Sequence, residues 1–178
     1  HFGHLRTALE VQQQLQLDAV RMTPCHVPPH RDQPVAGPAE RLAMLEAAVS
    51  SEPKLVVDRR ELEREGPSYM VDTLEALRRD CGAQPLCLAL GMDAFAGLES
   101  WHRWQDIPAL CHLVIMQRPG SAWPDRGAIA GWVKQARVDA PHILRSRPAG
   151  CILAVPVTQL AVSSTQIRAL LAAGRSPN

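Results

Sequence analysis

Aromatic residues are scarce in this chain: four tryptophans, two phenylalanines and one tyrosine make up 4% of its 178 residues. Its core must therefore be built from aliphatic side chains, and any place where aromatics cluster stands out. No apolar run approaches the roughly 20 residues that cross a bilayer, so no membrane partner is expected. No basic segment followed by an apolar stretch marks a secretory leader, and the expected compartment is the cytoplasm. The five cysteines, Cys25, Cys81, Cys87, Cys111 and Cys151, are odd in number and form no C-x-x-C pair. That pattern argues against a disulfide framework and a zinc knuckle, and they read as reduced, mostly buried thiols. Excess charge of one sign is missing too: 19 basic and 18 acidic side chains leave a formal net charge of +1. A long nucleic-acid polymer is thus not an expected partner, whereas a small phosphorylated ligand needs only local positive charge. The seven histidines are dispersed, with no H-E-x-x-H or comparable spacing, so no protein metal site and no metal-dependent hydrolase is expected.

What is present is an alternation of short β-like runs with helical patterns. Runs at Ala19–Thr23, Lys54–Asp58, Leu86–Leu90, His112–Gln117 and Cys151–Val157 read as strands. Leu5–Gln16, Ala39–Ser50, Tyr69–Arg79, Trp104–Cys111, Gly127–Arg137 and Thr165–Ala173 read as helices. Such alternation predicts βαβ units and a mostly parallel sheet in one compact α/β domain spanning residues 1–178. Five prolines between Pro24 and Pro38 predict a loop there, and a second loop is expected over Arg118–Arg126. In open α/β sheets ligands gather beyond the carboxyl ends of the strands, and the chemistry-bearing residues fall at those ends.

Two segments read as a phosphate site. His1-Phe2-Gly3-His4 places two imidazoles at the start of a helix, where free N–H groups already favour anions. Imidazole donates a hydrogen bond when neutral and adds charge when protonated. Val162-Ser163-Ser164-Thr165-Gln166-Ile167-Arg168 follows the last β-like run and opens a helix, with hydroxyls and a guanidinium in one turn. Ser163 and Gln166 also have capping-box spacing, which alone would account for them.

Together, His1 to His4 and the later Ser-Ser-Thr-x-Ile-Arg resemble the nucleotidyltransferase superfamily that carries the H-x-G-H signature. The resemblance implies a Rossmann-like, doubly wound fold with helices on both faces of a mostly parallel sheet. It also implies a strand upstream of His1 and a continuation after Asn178, both missing from this sequence. Four further segments narrow it. Pro28-Pro29-His30-Arg31 is similar to the P-P-H-K loop of bacterial nicotinate mononucleotide adenylyltransferases, with Arg31 where lysine is more usual. Pro67-Ser68-Tyr69-Met70-Val71-Asp72-Thr73-Leu74 is similar to that family's P-S-Y-x-x-D-T-L element; read from its residues alone, it is a helix start with Pro67 and Ser68 near the cap. Trp101-His102-Arg103-Trp104 and the strand ending in Arg118-Pro119-Gly120 complete the likeness.

From the resemblance come expected roles. His1 and His4 are the catalytic pair. Gly3, Asp93, Arg118, Ser163, Thr165 and Arg168 are expected at ATP, with Asp93 on the ribose. His30, Arg31, Thr73, Trp101 and His102 are expected at nicotinate mononucleotide, with Trp101 stacked on the pyridine ring and Trp104 in the core. The implied reaction transfers AMP from ATP to nicotinate mononucleotide and releases pyrophosphate, with Mg²⁺ accompanying ATP. The competing readings are another adenylyl- or cytidylyltransferase, such as the phosphopantetheine enzyme, and a non-catalytic nucleotide-binding module. Homo-oligomerisation is left open.

Overall fold

The computed structural model describes residues 1–27, 36–117, 120–158, 160 and 162–176. Helix α1 (Phe2–Leu15) leads to strand β1 (Val20–Met22), α2 (Pro38–Val49), β2 (Leu55–Val57) and α3 (Met70–Cys81). Then follow β3 (Cys87–Gly91), α4 (Met92–Ala96), α5 (Ile107–Leu110), β4 (His112–Gln117), α6 (Gly127–Ala136), β5 (Arg137–Val138), β6 (Ile152–Pro156) and α7 (Ser164–Ala172). Short 3-10 turns occupy Leu98–Ser100, Trp104–Asp106 and Pro141–Ser146.

Every strand pairing among the described residues is parallel, but the strands form two sheets: β1 beside β2, and a second with order β3-β4-β6-β5. The second sheet carries the core because its central strands are aliphatic on both sides. Leu113 and Ile115 of β4 and Ile152 of β6 pack on one face with Leu74 of α3, Phe95 of α4, Ile107 of α5 and Ile129 and Val133 of α6. Val114, Leu153 and Val155 pack on the other face with Val11 and Leu15 of α1 and Leu144. The two-residue period of β4 and β6 thus sends alternate side chains into two cores, and helices cover both faces as expected. Each fully buried leucine, isoleucine or phenylalanine contributes about 1.5–3 kcal/mol.

Several boundaries depart from the sequence reading. Helix α1 begins at Phe2, not Leu5, and ends where Gln16 turns left-handed at φ 50° so that its N–H reaches the carbonyls of Gln12 and Gln13. Pro38 is not loop but the first residue of α2, where its missing N–H goes unmissed. The helix expected over Trp104–Cys111 is a 3-10 turn followed by the single α-turn Ile107–Leu110, with Pro108 unable to donate backward to continue a longer helix. Helix α4 and strand β5 are too short to show a period. All five cysteines are free, but only Cys111 and Cys151 are fully buried; Cys25, Cys81 and Cys87 are half-buried. Burial pushes the Cys87 thiol up to about 11 and the Cys111 thiol up to about 12, so both stay protonated. No described helix is long and apolar enough to cross a membrane.

Among the described residues, His112, at the start of β4, is the one fully buried imidazole. Its Nδ1 accepts from the Cys151 N–H at 3.0 Å, which leaves Nε2–H to donate to the Arg147 carbonyl at 2.9 Å. These two bonds fix the neutral Nε2–H tautomer and tie β4 to the turn that precedes β6.

Candidate active site

Parallel pairing puts the carboxyl ends of the strands on common edges: Gly91 lies beside Met116, and Gln117 beside Pro156. In the smaller sheet Met22 lies beside Val57. The segments that follow these ends carry the candidate residues.

At the N-terminus of α1 the His1 and His4 rings stack with centroids 4.0 Å apart and planes 18° from parallel. The glycine between them permits this. A Cβ at Gly3 would come within 3.0 Å of His1 Nδ1, closer than most real contacts. Both imidazoles face solvent. The His4 imidazole is held below its ordinary value by desolvation at the helix start. It is therefore neutral near pH 7 and able to donate through one N–H.

Helix α1 is fastened to the end of β6. Gln14 Nε2 donates to the Pro156 carbonyl at 2.9 Å, and the Thr158 N–H donates to Glu10 Oε2 at 2.7 Å. Arg6, one turn up, holds the other Glu10 oxygen at 2.6 Å. These bonds bring the Glu10 carboxyl down to about 2, Arg6 first and the Thr158 amide next. The helix of the two histidines and the strand that leads to Ser163 are thus joined at their bases.

Beyond that joint, Ser163 caps α7. Its Oγ accepts from the Gln166 N–H at 3.2 Å and Gln166 Oε1 accepts from the Ser163 N–H at 3.2 Å, so the capping box exists. Arg168 Nη2 donates to Thr165 Oγ at 3.2 Å. Ser163, Thr165 and Arg168 are exposed, and α7 buries none of its residues. Among the described residues no hydrogen bond or ion pair joins them to His1 or His4. Asp93 sits in the first turn of α4, directly after β3, with an exposed carboxylate.

The 101–104 segment meets α3. The Tyr69 and His102 rings lie 4.3 Å apart at 32°. Arg103, in the left-handed region at φ 51°, pairs with Glu75 of α3 at 2.8 Å and with Asp106 at 2.7 Å. That turn leaves His102 exposed, and both Trp101 and Trp104 lie half-buried against the core. Thr73 is almost fully buried, at 1% exposure, and its hydroxyl donates to Glu61 Oε1 at 2.7 Å. The Thr73 N–H already donates, at 3.4 Å, to the carbonyl of Tyr69, so the N–H groups left over at this helix start are those of the residues before it. His30, Arg31 and Arg118 lie outside the described residues.

Two features were not foreseen. Tyr69, not Ser68, is the N-cap of α3, because Ser68 Oγ is turned toward the loop after β1 and accepts from the N–H groups of His26 at 3.0 Å and Val27 at 3.3 Å. Glu61, at 3% exposure, is buried beneath this junction, and its carboxyl is raised by burial against the opposing pull of Thr73, Arg64 and Ser68. It comes from the run Asp58-Arg59-Arg60-Glu61-Leu62-Glu63-Arg64-Glu65, where nothing in the spacing says which carboxylate turns inward.

A parallel α/β fold with an imidazole pair at a helix start and hydroxyls and arginine opening the last helix is the architecture of a nucleotidyltransferase. Residues 1–170 match the family described as cytidylyltransferase-like, and the chain belongs to it. Within that class it groups with the nicotinate-nucleotide adenylyltransferases. It is 48% identical over 177 residues to the probable nicotinate-nucleotide adenylyltransferase of Methylococcus capsulatus, spanning 99% of this chain and 84% of that protein. The like-named protein of Cellvibrio japonicus is 47% identical over 178 residues, again 99% of this chain and 84% of the relative. Among solved structures, Plasmodium falciparum nicotinic acid mononucleotide adenylyltransferase complexed with NaAD superposes with a TM-score of 0.67 over 96% of this chain and 77% of that one. At 13% identity, that likeness concerns the fold.

Proposed function

We propose that the chain transfers AMP from ATP to nicotinate mononucleotide, forming nicotinate adenine dinucleotide and pyrophosphate. The observation that carries this reading is its kinship, through nearly half of its residues, with nicotinate-nucleotide adenylyltransferases. The paired imidazoles at a helix N-terminus are the local geometry that agrees with it.

In this reading a 5′-phosphate oxygen of nicotinate mononucleotide attacks the α-phosphorus of ATP, and the bond from that phosphorus to the β-bridging oxygen breaks. The nucleophile is already an anion, so the protein positions the reactants and stabilises charge without a covalent intermediate. His4 donates to the α-phosphate as charge builds there. His1, Ser163, Thr165 and Arg168 hold the β- and γ-phosphates, Gly3 lets the chain approach them, and Arg118 completes the nucleotide side. Asp93 accepts from the ribose hydroxyls of ATP. His30 and Arg31 take the acceptor phosphate, Trp101 stacks on the pyridine ring, and N–H groups around Thr73 and His102 hold the nicotinate carboxylate. Mg²⁺ enters as part of the substrate Mg·ATP; among the described residues no three His, Cys, Asp or Glu side chains converge on a cage for it. The compartment that fits such a reaction is the cytoplasm.

The test is pyrophosphate release from Mg·ATP by the intact enzyme with nicotinate mononucleotide, nicotinamide mononucleotide or phosphopantetheine. Release fastest with nicotinate mononucleotide supports the reading. Release only with phosphopantetheine would overturn the acceptor, and ATP binding without release would make the chain a nucleotide-binding module.

A further inference from the structure

We infer that Glu61 is a positioning residue of the acceptor subsite, a buried carboxylate that locks the loop after β1 and the start of α3 into one relative geometry. The inference rests on the acceptor reading above, which puts the nicotinate carboxylate at the α3 start.

Counting protons supports the lock. A hydroxyl has one proton to give. Thr73 Oγ accepts from Arg64 Nη2 at 3.2 Å and gives its proton to Glu61 at 2.7 Å. Ser68 Oγ accepts two backbone N–H groups, from His26 and Val27. The Ser68 N–H returns a bond to the Val27 carbonyl at 2.9 Å. Arg64 closes the circuit: its Nη2 lies 3.4 Å from the Tyr69 carbonyl, and its own carbonyl is 3.1 Å from His26 Nδ1. Arg41 of α2 donates to the carbonyls of Cys25 and His26 from outside the ring.

The chain from Cys25 to Val27, the 61–64 segment and the first turn of α3 are therefore one hydrogen-bonded unit, which the buried Glu61 enters through Thr73. Buried carboxylates contribute little net stability compared with apolar packing. What this one contributes is orientation, since it takes the one proton of the Thr73 hydroxyl and leaves that oxygen to accept from Arg64, whose own carbonyl meets His26. A small displacement of positioned groups is enough to weaken a bound acceptor.

The experiment is steady-state kinetics of intact Glu61→Gln and Ser68→Ala enzymes, with KM measured separately for nicotinate mononucleotide and Mg·ATP. Glu61→Gln keeps the shape and removes the charge. It is expected to raise KM for nicotinate mononucleotide about tenfold, as for loss of a charge-assisted bond, with KM for Mg·ATP within about twofold of wild type. Ser68→Ala should show a smaller shift of the same kind. An equal rise in both KM values, or a lowered melting temperature with neither KM changed, would overturn the positioning role. If Glu61→Gln does not fold, Ser68→Ala decides by the same ratio. If the wild type uses another acceptor, the substrate reading fails while the variants assayed with that acceptor still decide about Glu61. If it turns over none, equal nicotinate mononucleotide affinity in wild type and variant, measured by calorimetry, overturns the inference.

Discussion

Removing the His4 side chain should damage turnover far more than ATP affinity. The imidazole lies at the first turn of α1, stacked on His1 and partly desolvated, so its neutral N–H is held in place before substrate arrives. A prepositioned donor of this kind acts where charge develops, and losing one costs about 3 kcal/mol of transition-state stabilisation. At 25 °C this corresponds to a fall in kcat of about a hundredfold for His4→Ala. In the proposed site ATP would keep contacts to His1, the α1 N-terminus and the α7 start, so KM for Mg·ATP should change by no more than about threefold. Because the two rings support one another, His1→Ala should cost less alone, and the double variant should fall short of the product of the single losses. The assay is pyrophosphate release at saturating nicotinate mononucleotide with ATP varied. A variant whose ATP KM rises about a hundredfold while kcat is unchanged would refute the reasoning, since His4 would then be binding ground state and transition state alike.

Other consequences follow from particular contacts. Gly3→Ala would press a methyl against His1 Nδ1 at 3.0 Å and unstack the ring pair, lowering kcat about tenfold with little change in melting temperature. Gly127→Ala, at φ +78° and with a Cβ 2.6 Å from Glu99 Oε1, should cost about 2 kcal/mol, seen as a lower urea midpoint, because Glu99 also caps α6 through the Ile129 N–H at 2.7 Å. His112 is held neutral, its imidazole lowered by burial. The unfolded chain takes up a proton near pH 6.5 and the folded chain resists it. Its stabilising contribution is thus complete above about pH 6.5 and is lost as pH falls from there toward the depressed folded value. Urea unfolding from pH 8 to pH 5 should show a steeper loss of stability for wild type than for His112→Asn; equal slopes would contradict the buried neutral tautomer.

Most of the fold was legible because the strands are aliphatic runs bounded by turn signals. His112–Gln117 was read to the residue, and each end of the other four strands to within one. What escaped had no period to read: α4 is five residues long, β5 is two, and Pro108 divides a helical pattern that looks continuous in sequence. The division into two sheets also escaped, since the order of strands is a tertiary property. In the candidate site, residue type and spacing single out His1, His4, Ser163, Thr165 and Arg168, and the structure places them at the starts of α1 and α7. Glu61, Arg64 and Tyr69 did not, because their importance lies in which way they turn. A carboxylate in a charged run looks solvated until its burial and the Thr73 hydroxyl it holds are seen. The capping box at Ser163 was legible in both senses: the structure forms it, and a capped helix start still offers N–H groups to an anion.

The most direct test of the central claim is to identify the product. The intact enzyme is given Mg·ATP with equal nicotinate and nicotinamide mononucleotides, and the dinucleotides formed are separated and weighed by mass spectrometry against the pyrophosphate released. The account predicts nicotinate adenine dinucleotide as the main product, one for each pyrophosphate. Pyrophosphate without a dinucleotide, or a product that is chiefly the nicotinamide dinucleotide, would contradict it.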